Sequence, residues 1–270
     1  MRRRTYLAGG ASVLAGIAVS GLVSRPPSNE RLLEAAREPS GTGEGSSNTE
    51  TILSGTDHET SLYELDAPND GPTAMVFGGV HGDERNGIEA AREISDWHPD
   101  AGTLVVVPET NRVAVENDDR RGVDGNLNRQ FPADRGPQSE LAAGIWDAVE
   151  SYQPDVVLDL HRSLGIYGLH QEFVGQAIFH SPDAHGERLA DRLNEDAVPW
   201  YLPFHRFTPG ESTLSGPLLF QHAARELGAS AYIFETTEFL LDHSTMVEMS
   251  RLAAAHVLEL HGLLELGGDA

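Results

Sequence analysis

The chain has no cysteine and no lysine; all 19 basic side chains among its 270 residues are arginine. Without cysteine there are no disulfides and no thiolate metal ligands, so any metal site must be assembled from histidine and carboxylate. Positive charge is scarce as well, because 42 Asp and Glu leave a formal net charge of −23. A surface of that sign repels nucleic acid and anionic lipid, which excludes both as partners of the folded part. Strong acidity often marks disorder. Here it does not, because apolar segments recur through most of the chain and hydrophobic residues make up 39% of it. Acidic residues without lysine are instead the pattern expected of a protein adapted to high salt. Screening there acts within roughly 3 Å at 1 M, and self-repulsion costs little.

The start of the chain stands apart. "MRRRTYLAGGASVLAGIAVSGLVS" places three arginines before an Ala/Gly-rich run that is uncharged from Thr5 to Ser24. Arg3-Arg4-Thr5-Tyr6-Leu7 resembles a twin-arginine export signal, which suits proteins that fold before crossing a membrane. Residues 1–24 are therefore expected to direct export to the cell surface or beyond. If uncleaved, they would form the only contact with a membrane, since the run is almost long enough to span one. Residues 25–50 are rich in Pro, Ser, Gly and Glu and read as a flexible linker, with room for one short helix in "ERLLEAARE". Residues 51–270 are long enough for a single domain with a full core.

Within that domain "TAMVFGG", "TLVVVPE", "DVVLDLH" and "SAYIFET" are short, apolar almost throughout and rich in β-branched residues. They predict strands buried on both faces. Helical patterns lie between and after them, over Asn86–Trp97, Gln138–Tyr152, Ser181–Glu195, Pro217–Leu227 and Thr245–Leu264. Ser181-Pro182-Asp183 reads as an N-cap with a first-turn proline, and Leu227-Gly228 as a helix stop. Such alternation predicts an α/β fold of three layers, α/β/α, around a mainly parallel mixed sheet. In sheets of this kind ligands sit beyond the carboxyl ends of the strands.

Chemistry-bearing residues fall at those ends. His81 and Glu84 follow the first strand, three residues apart across a helix start, so that both side chains can face one ion. His161 closes "DVVLDLH". Two histidines and a glutamate, two close in sequence and one distant, form the ligand set of a catalytic zinc that leaves a position for water. Hydrolysis also needs a carboxylate to carry the proton. Glu235 lies near the end of "SAYIFETTE", where a charge inside an apolar strand is costly unless it has a partner or a task; Glu238 follows it. The Gly-rich stretch "RRGVDGNLNRQFP" carries Arg120, Arg121, Asn128 and Arg129, and guanidinium groups suit a carboxylate receptor.

Taken together, H-G-D-E, N-L-N-R-Q-F-P, D-L-H and F-E resemble the zinc carboxypeptidase superfamily. "GGVHGDERNGIEAA" is most similar to its succinylglutamate desuccinylase/aspartoacylase branch. The resemblance implies one Zn2+ held by His81, Glu84 and His161, with Glu235 as general base and acid. It implies that Asn128 and Arg129 hold a substrate carboxylate, and that Arg129 and Arg121 polarise the scissile carbonyl. The implied reaction is amide hydrolysis in a carboxylate-bearing small molecule, such as deacylation of an N-acyl amino acid. Removal of C-terminal residues from exported peptides is the alternative, and an inactive zinc- or ligand-binding module is a second one. Two departures stand out. Asn126 occupies the position where the branch usually has an aspartate that orients a metal-bound histidine. Only 35 residues follow Glu235, too few for the additional C-terminal domain of true aspartoacylases.

Overall fold

The computed structural model describes residues 27–38 and 45–266. The expected export signal at 1–24 lies outside the described residues. Among those described, no helix is long and apolar enough to cross a membrane.

The segment expected to be a linker is partly ordered. Helix α1 (Pro27–Ala35) forms within it, and strand β1 (Ser46–Ile52) starts five residues before the expected domain boundary. Leu33 and Ala36 are buried in the core, so the apolar spacing of "ERLLEAARE" serves packing. Strands β2 (Thr60–Asp66), β3 (Thr73–Phe77), β4 (Thr103–Val107), β5 (Val156–Ser163), β6 (Ala177–His180), β7 (Thr208–Glu211) and β8 (Ser230–Thr237) complete one sheet. Its order is β1-β2-β4-β3-β5-β8-β6-β7. The four central strands β4, β3, β5 and β8 are mutually parallel; β2 and β6 join them antiparallel at either side.

Side chains alternate across the sheet. Ala74 and Val76 of β3 face one core, together with Ile94 of α2 (Arg85–Ile94), Leu193 of α5 (Gly186–Asp196) and Leu252 of α7 (His243–Leu260). Met75 and Phe77 face the other, with Ile145 of α4 (Glu140–Tyr152) and Phe220 of α6 (Leu219–Leu227). These are the three layers expected from the sequence, with both faces of the central strands buried.

One helix start differs from expectation. Helix α5 begins at Gly186, not after Ser181. The Ser181 hydroxyl accepts a hydrogen bond from Ala231 N–H at 3.0 Å, and Ser181 N–H donates to Ala231 O at 2.8 Å. Those bonds make Ser181 an extension of the β6–β8 pairing, so it is not available as a cap. A short helix that the apolar pattern did not signal, α3 (Arg112–Asn117), follows β4 and leads into the arginine-rich stretch.

Candidate metal centre

The site is built where β3, β5 and β8 end. After Phe77 the chain reverses through Gly79, whose φ of +67° favours glycine. Hydrogen bonds from Thr110 and Asn111 N–H to the carbonyls of Gly78 and Gly79 tie this turn to the loop after β4. The turn delivers His81, and then Glu84 at the start of α2. The helix can approach β5 closely because residue 87 is glycine; a Cβ there would lie 2.4 Å from Leu160 O. His161 stands on β5, in register with Glu235 on β8.

His81, Glu84 and His161 are all buried, and one ligand atom from each falls within 4.8 Å of the others. Nδ1 of His81 lies 2.9 Å from Glu84 Oε1, and Nδ1 of His161 lies 2.7 Å from Glu84 Oε2. The opposite ring nitrogens are held from behind. His81 Nε2 is 3.1 Å from Asn126 Oδ1, and His161 Nε2 is 2.8 Å from Asp159 Oδ2. A metal-ligating histidine characteristically gives its second N–H to an oxygen acceptor. With both Nε2 atoms so engaged, both Nδ1 atoms point inward beside Glu84. The three residues therefore fit a divalent metal such as zinc by donor chemistry and by ring orientation alike.

Glu84 is surrounded by donors. Arg162 N–H reaches Oε2 at 3.0 Å, and the Arg120 guanidinium reaches Oε1 at 2.5 Å. Burial pushes the Glu84 carboxyl up, but the charge of His161 and hydrogen bonds from both histidines outweigh it and hold it well below the usual range. Burial likewise opposes charge on His161, yet Asp159 and Glu84 raise it well above the ordinary imidazole value. Glu235 has no such support. Burial is the main cause that pushes its carboxyl up to about 8, with Glu84 and Asp159 adding to it against His161 and Arg120. Its Oε2 is sealed from solvent without a hydrogen-bond partner among the described residues. A carboxyl in that state is suited to accept and return a proton near neutral pH.

The other expected residues divide. Asn128 is buried at the centre: its Oδ1 accepts from Leu219 N–H at 2.9 Å, and its Nδ2 donates to Asp159 Oδ2 at 3.2 Å. Arg129 follows it with an exposed side chain. Desolvation, and then the charge of Arg120, lower its pKa. Arg121 is exposed and its backbone N–H is bonded to Asp119 Oδ1; the guanidinium that reaches the ligand set is that of Arg120. Glu238 is half-exposed and pairs with Arg162 at 3.2 Å. Sequence reasoning passed over Asp159 and Arg162. Asp159 was legible as a carboxylate two positions before His161, hence on the same face of the strand.

Residues 70–198 match the family model described as the succinylglutamate desuccinylase/aspartoacylase catalytic domain. Over 98 residues, 34% of the chain, the sequence is 40% identical to the N-alpha-acetyl-L-2,4-diaminobutyric acid deacetylase of Halomonas elongata; the match spans 29% of that protein. Among solved structures, the tripeptide-bound cell shape determinant Csd4 of Helicobacter pylori is similar with a TM-score of 0.63 at 20% identity. That match covers 76% of this chain and 56% of Csd4. An aspartoacylase family protein of Mesorhizobium loti is similar with a TM-score of 0.57 at 22% identity, covering 85% of this chain and 70% of the other. At such identities the structural likeness speaks for the fold. The matches span under a third of the deacetylase and a little over half of Csd4.

Proposed function

Because residues 70–198 carry the catalytic-domain pattern of the succinylglutamate desuccinylase/aspartoacylase family, we propose that the chain is a zinc-dependent amide hydrolase that removes the acyl group from an N-acyl amino acid. The observation that carries this reading is the convergence of His81, Glu84 and His161, with Glu235 on the neighbouring strand in register with His161. Zinc held by the first three would supply Lewis acidity toward a carbonyl oxygen and toward water.

The chain's own residues account for the remainder. Asn128 and Arg129 receive the carboxylate of the amino-acid half and hold the amide over the buried site. Arg129 and Arg121 lend positive charge where negative charge grows on the scissile carbonyl, and Arg120, paired with Glu84, adds to the positive field of the site. Glu235 removes a proton from the attacking water as its oxygen bonds to the carbonyl carbon. It then returns that proton to the nitrogen as the C–N bond breaks. The products are a free carboxylic acid and a free amino acid.

The test is metal analysis followed by an assay of N-acyl amino acids beside short peptides, in concentrated salt. One zinc per chain, lost in His161→Ala, together with hydrolysis of N-acyl amino acids, is expected. A folded protein that takes up no metal would overturn the reading. Turnover of peptides alone, with a free C-terminal carboxylate required, would replace deacylation by carboxypeptidase action.

A further inference from the structure

Nine large apolar side chains are strongly exposed among the described residues, and eight of them lie on three loops. Residues 164–176 connect β5 to β6, residues 197–207 connect α5 to β7, and residues 238–242 connect β8 to α7. Trp200 is 89% exposed, Phe204 71% and Leu240 68%. The ninth, Val123, belongs to the arginine-rich stretch. On a chain of net charge −23 this is a marked segregation. Exposed apolar side chains gathered on adjoining loops mark a candidate binding surface.

The three loops are laced to each other and to the metal centre. Ser163 Oγ donates to Gly175 O at 2.6 Å, and Thr237 Oγ1 donates to Gly165 O at 2.6 Å. His205 Nε2 lies 2.7 Å from Phe239 O, and the two rings stack. Glu238 N–H donates to Ser163 O, and the preceding Arg162 N–H donates to Glu84. Leu164 is three residues beyond His161 and Phe239 four beyond Glu235. The apolar surface therefore continues from the strands that carry the site.

The arginine-rich stretch comes from β4 and α3, with Arg120 at Glu84 and Asn126 at His81, and reaches across to β5 and the start of α6 through Asn128. The apolar loops leave β5 and β8 or enter β6 and β7, on the β6–β7 side of the sheet. A substrate whose carboxylate half lies at the arginines extends its acyl half towards the apolar loops.

We infer that the acyl group removed by this enzyme is large and apolar, an aliphatic chain of several carbons or an aryl group, seated by the loops that carry Tyr167, Trp200, Phe204 and Leu240. This rests on the deacylase reading and adds the substrate class to it. The short, charged succinyl group is a poor match for this surface.

Trp200 reports on the inference directly, because the other two tryptophans, Trp97 and Trp146, are buried. Zinc-loaded Glu235→Gln protein in concentrated salt is titrated with N-acetyl, N-octanoyl and N-benzoyl forms of one amino acid, following tryptophan emission. A blue shift with Kd at least about tenfold lower for N-octanoyl than for N-acetyl is expected from burial of the added methylenes. In Trp200→Ser/Phe204→Ser protein, titrated by calorimetry, that ratio should collapse at least fivefold. Active protein should show the same order in kcat/KM. Equal Kd across the series while short acyl groups are hydrolysed would overturn the inference and leave the deacylase reading standing. Chain-length-dependent binding without hydrolysis of any member would support the apolar seat and overturn the deacylase reading. Absence of chain-length dependence, with self-association or binding to neutral phosphatidylcholine vesicles that the double variant loses, would assign the surface to a second copy or a lipid face instead.

Discussion

His161 and Glu235 are register partners on adjacent parallel strands, β5 and β8. One belongs to the ligand set and the other is the half-buried carboxyl beside it. Glu235→Gln preserves the shape and removes the proton carrier, so kcat should fall by about 10²–10⁴. Zinc content should be unchanged. Loss of zinc together with activity would show that Glu235 is structural.

The same carboxyl makes a prediction for metal-free protein. Its folded pKa is raised to about 8, whereas an unfolded glutamate titrates near 4.3. As pH rises between these values the unfolded chain gives up a proton that the folded chain keeps, so stability contributed below that range is lost across it. In EDTA, wild-type Tm should decline from pH 5 to 8 more steeply than that of Glu235→Gln. Parallel curves would place the titration elsewhere. A bound cation favours the charged carboxylate, so the acid limb of kcat/KM in zinc-loaded enzyme should have its midpoint below 8.

Asp159 and Asn126 hold the outer nitrogens of the two histidines, and only one of them is a carboxylate. Asp159→Asn should weaken zinc binding about 10–100-fold. Asn126→Asp should strengthen it, because a carboxylate makes His81 a more basic ligand. Competition with a chromophoric chelator measures both. Equal affinity in all three proteins would mean that the contacts behind the rings are without effect on the metal.

Tyr232, buried in β8, accepts a hydrogen bond from His185 N–H at 2.8 Å, and its oxygen lies 2.8 Å from His261 Nε2. Burial, and then the neighbouring His185, push His261 down to about 4. The neutral ring can accept from the tyrosine hydroxyl; a protonated one cannot. Stability should therefore fall as pH drops from about 6.5, where the unfolded histidine begins to charge, to about 4. In His261→Gln the slope over that window should be shallower.

Gly87 is the point where α2 meets β5. Gly87→Ala places a methyl group 2.4 Å from Leu160 O, so helix or strand must move, at about 1–3 kcal/mol. Because Glu84 sits at the start of the same helix, zinc affinity should fall along with the denaturation midpoint. A variant with reduced stability and unaltered zinc affinity would separate the helix from the site.

The central sheet and the ligand set were legible for one reason. Strands buried on both faces are apolar almost throughout, so a polar residue at the end of one, such as His161 or Glu235, stands out. The outer strands lack that contrast. β1 reads "SSNTETI" and is exposed at all but its last residue. β7, "TPGE", contains both proline and glycine. Their pairing comes from neighbours, and local composition does not show it. Asp159 shares a strand face with His161, and its role follows from that spacing only once the ring it holds is in place beside it. Arg120 and Arg121 are adjacent, and only the backbone after α3 decides which of them turns toward Glu84.

Glu84 gathers both inward-facing Nδ1 atoms, the Arg120 guanidinium and the Arg162 N–H on its two oxygens. The turn after β3, the end of β5 and the stretch after α3 are distant in sequence, and one carboxylate fastens all three. The residue expected to bind metal is thereby also the knot that ties the loops of the site together.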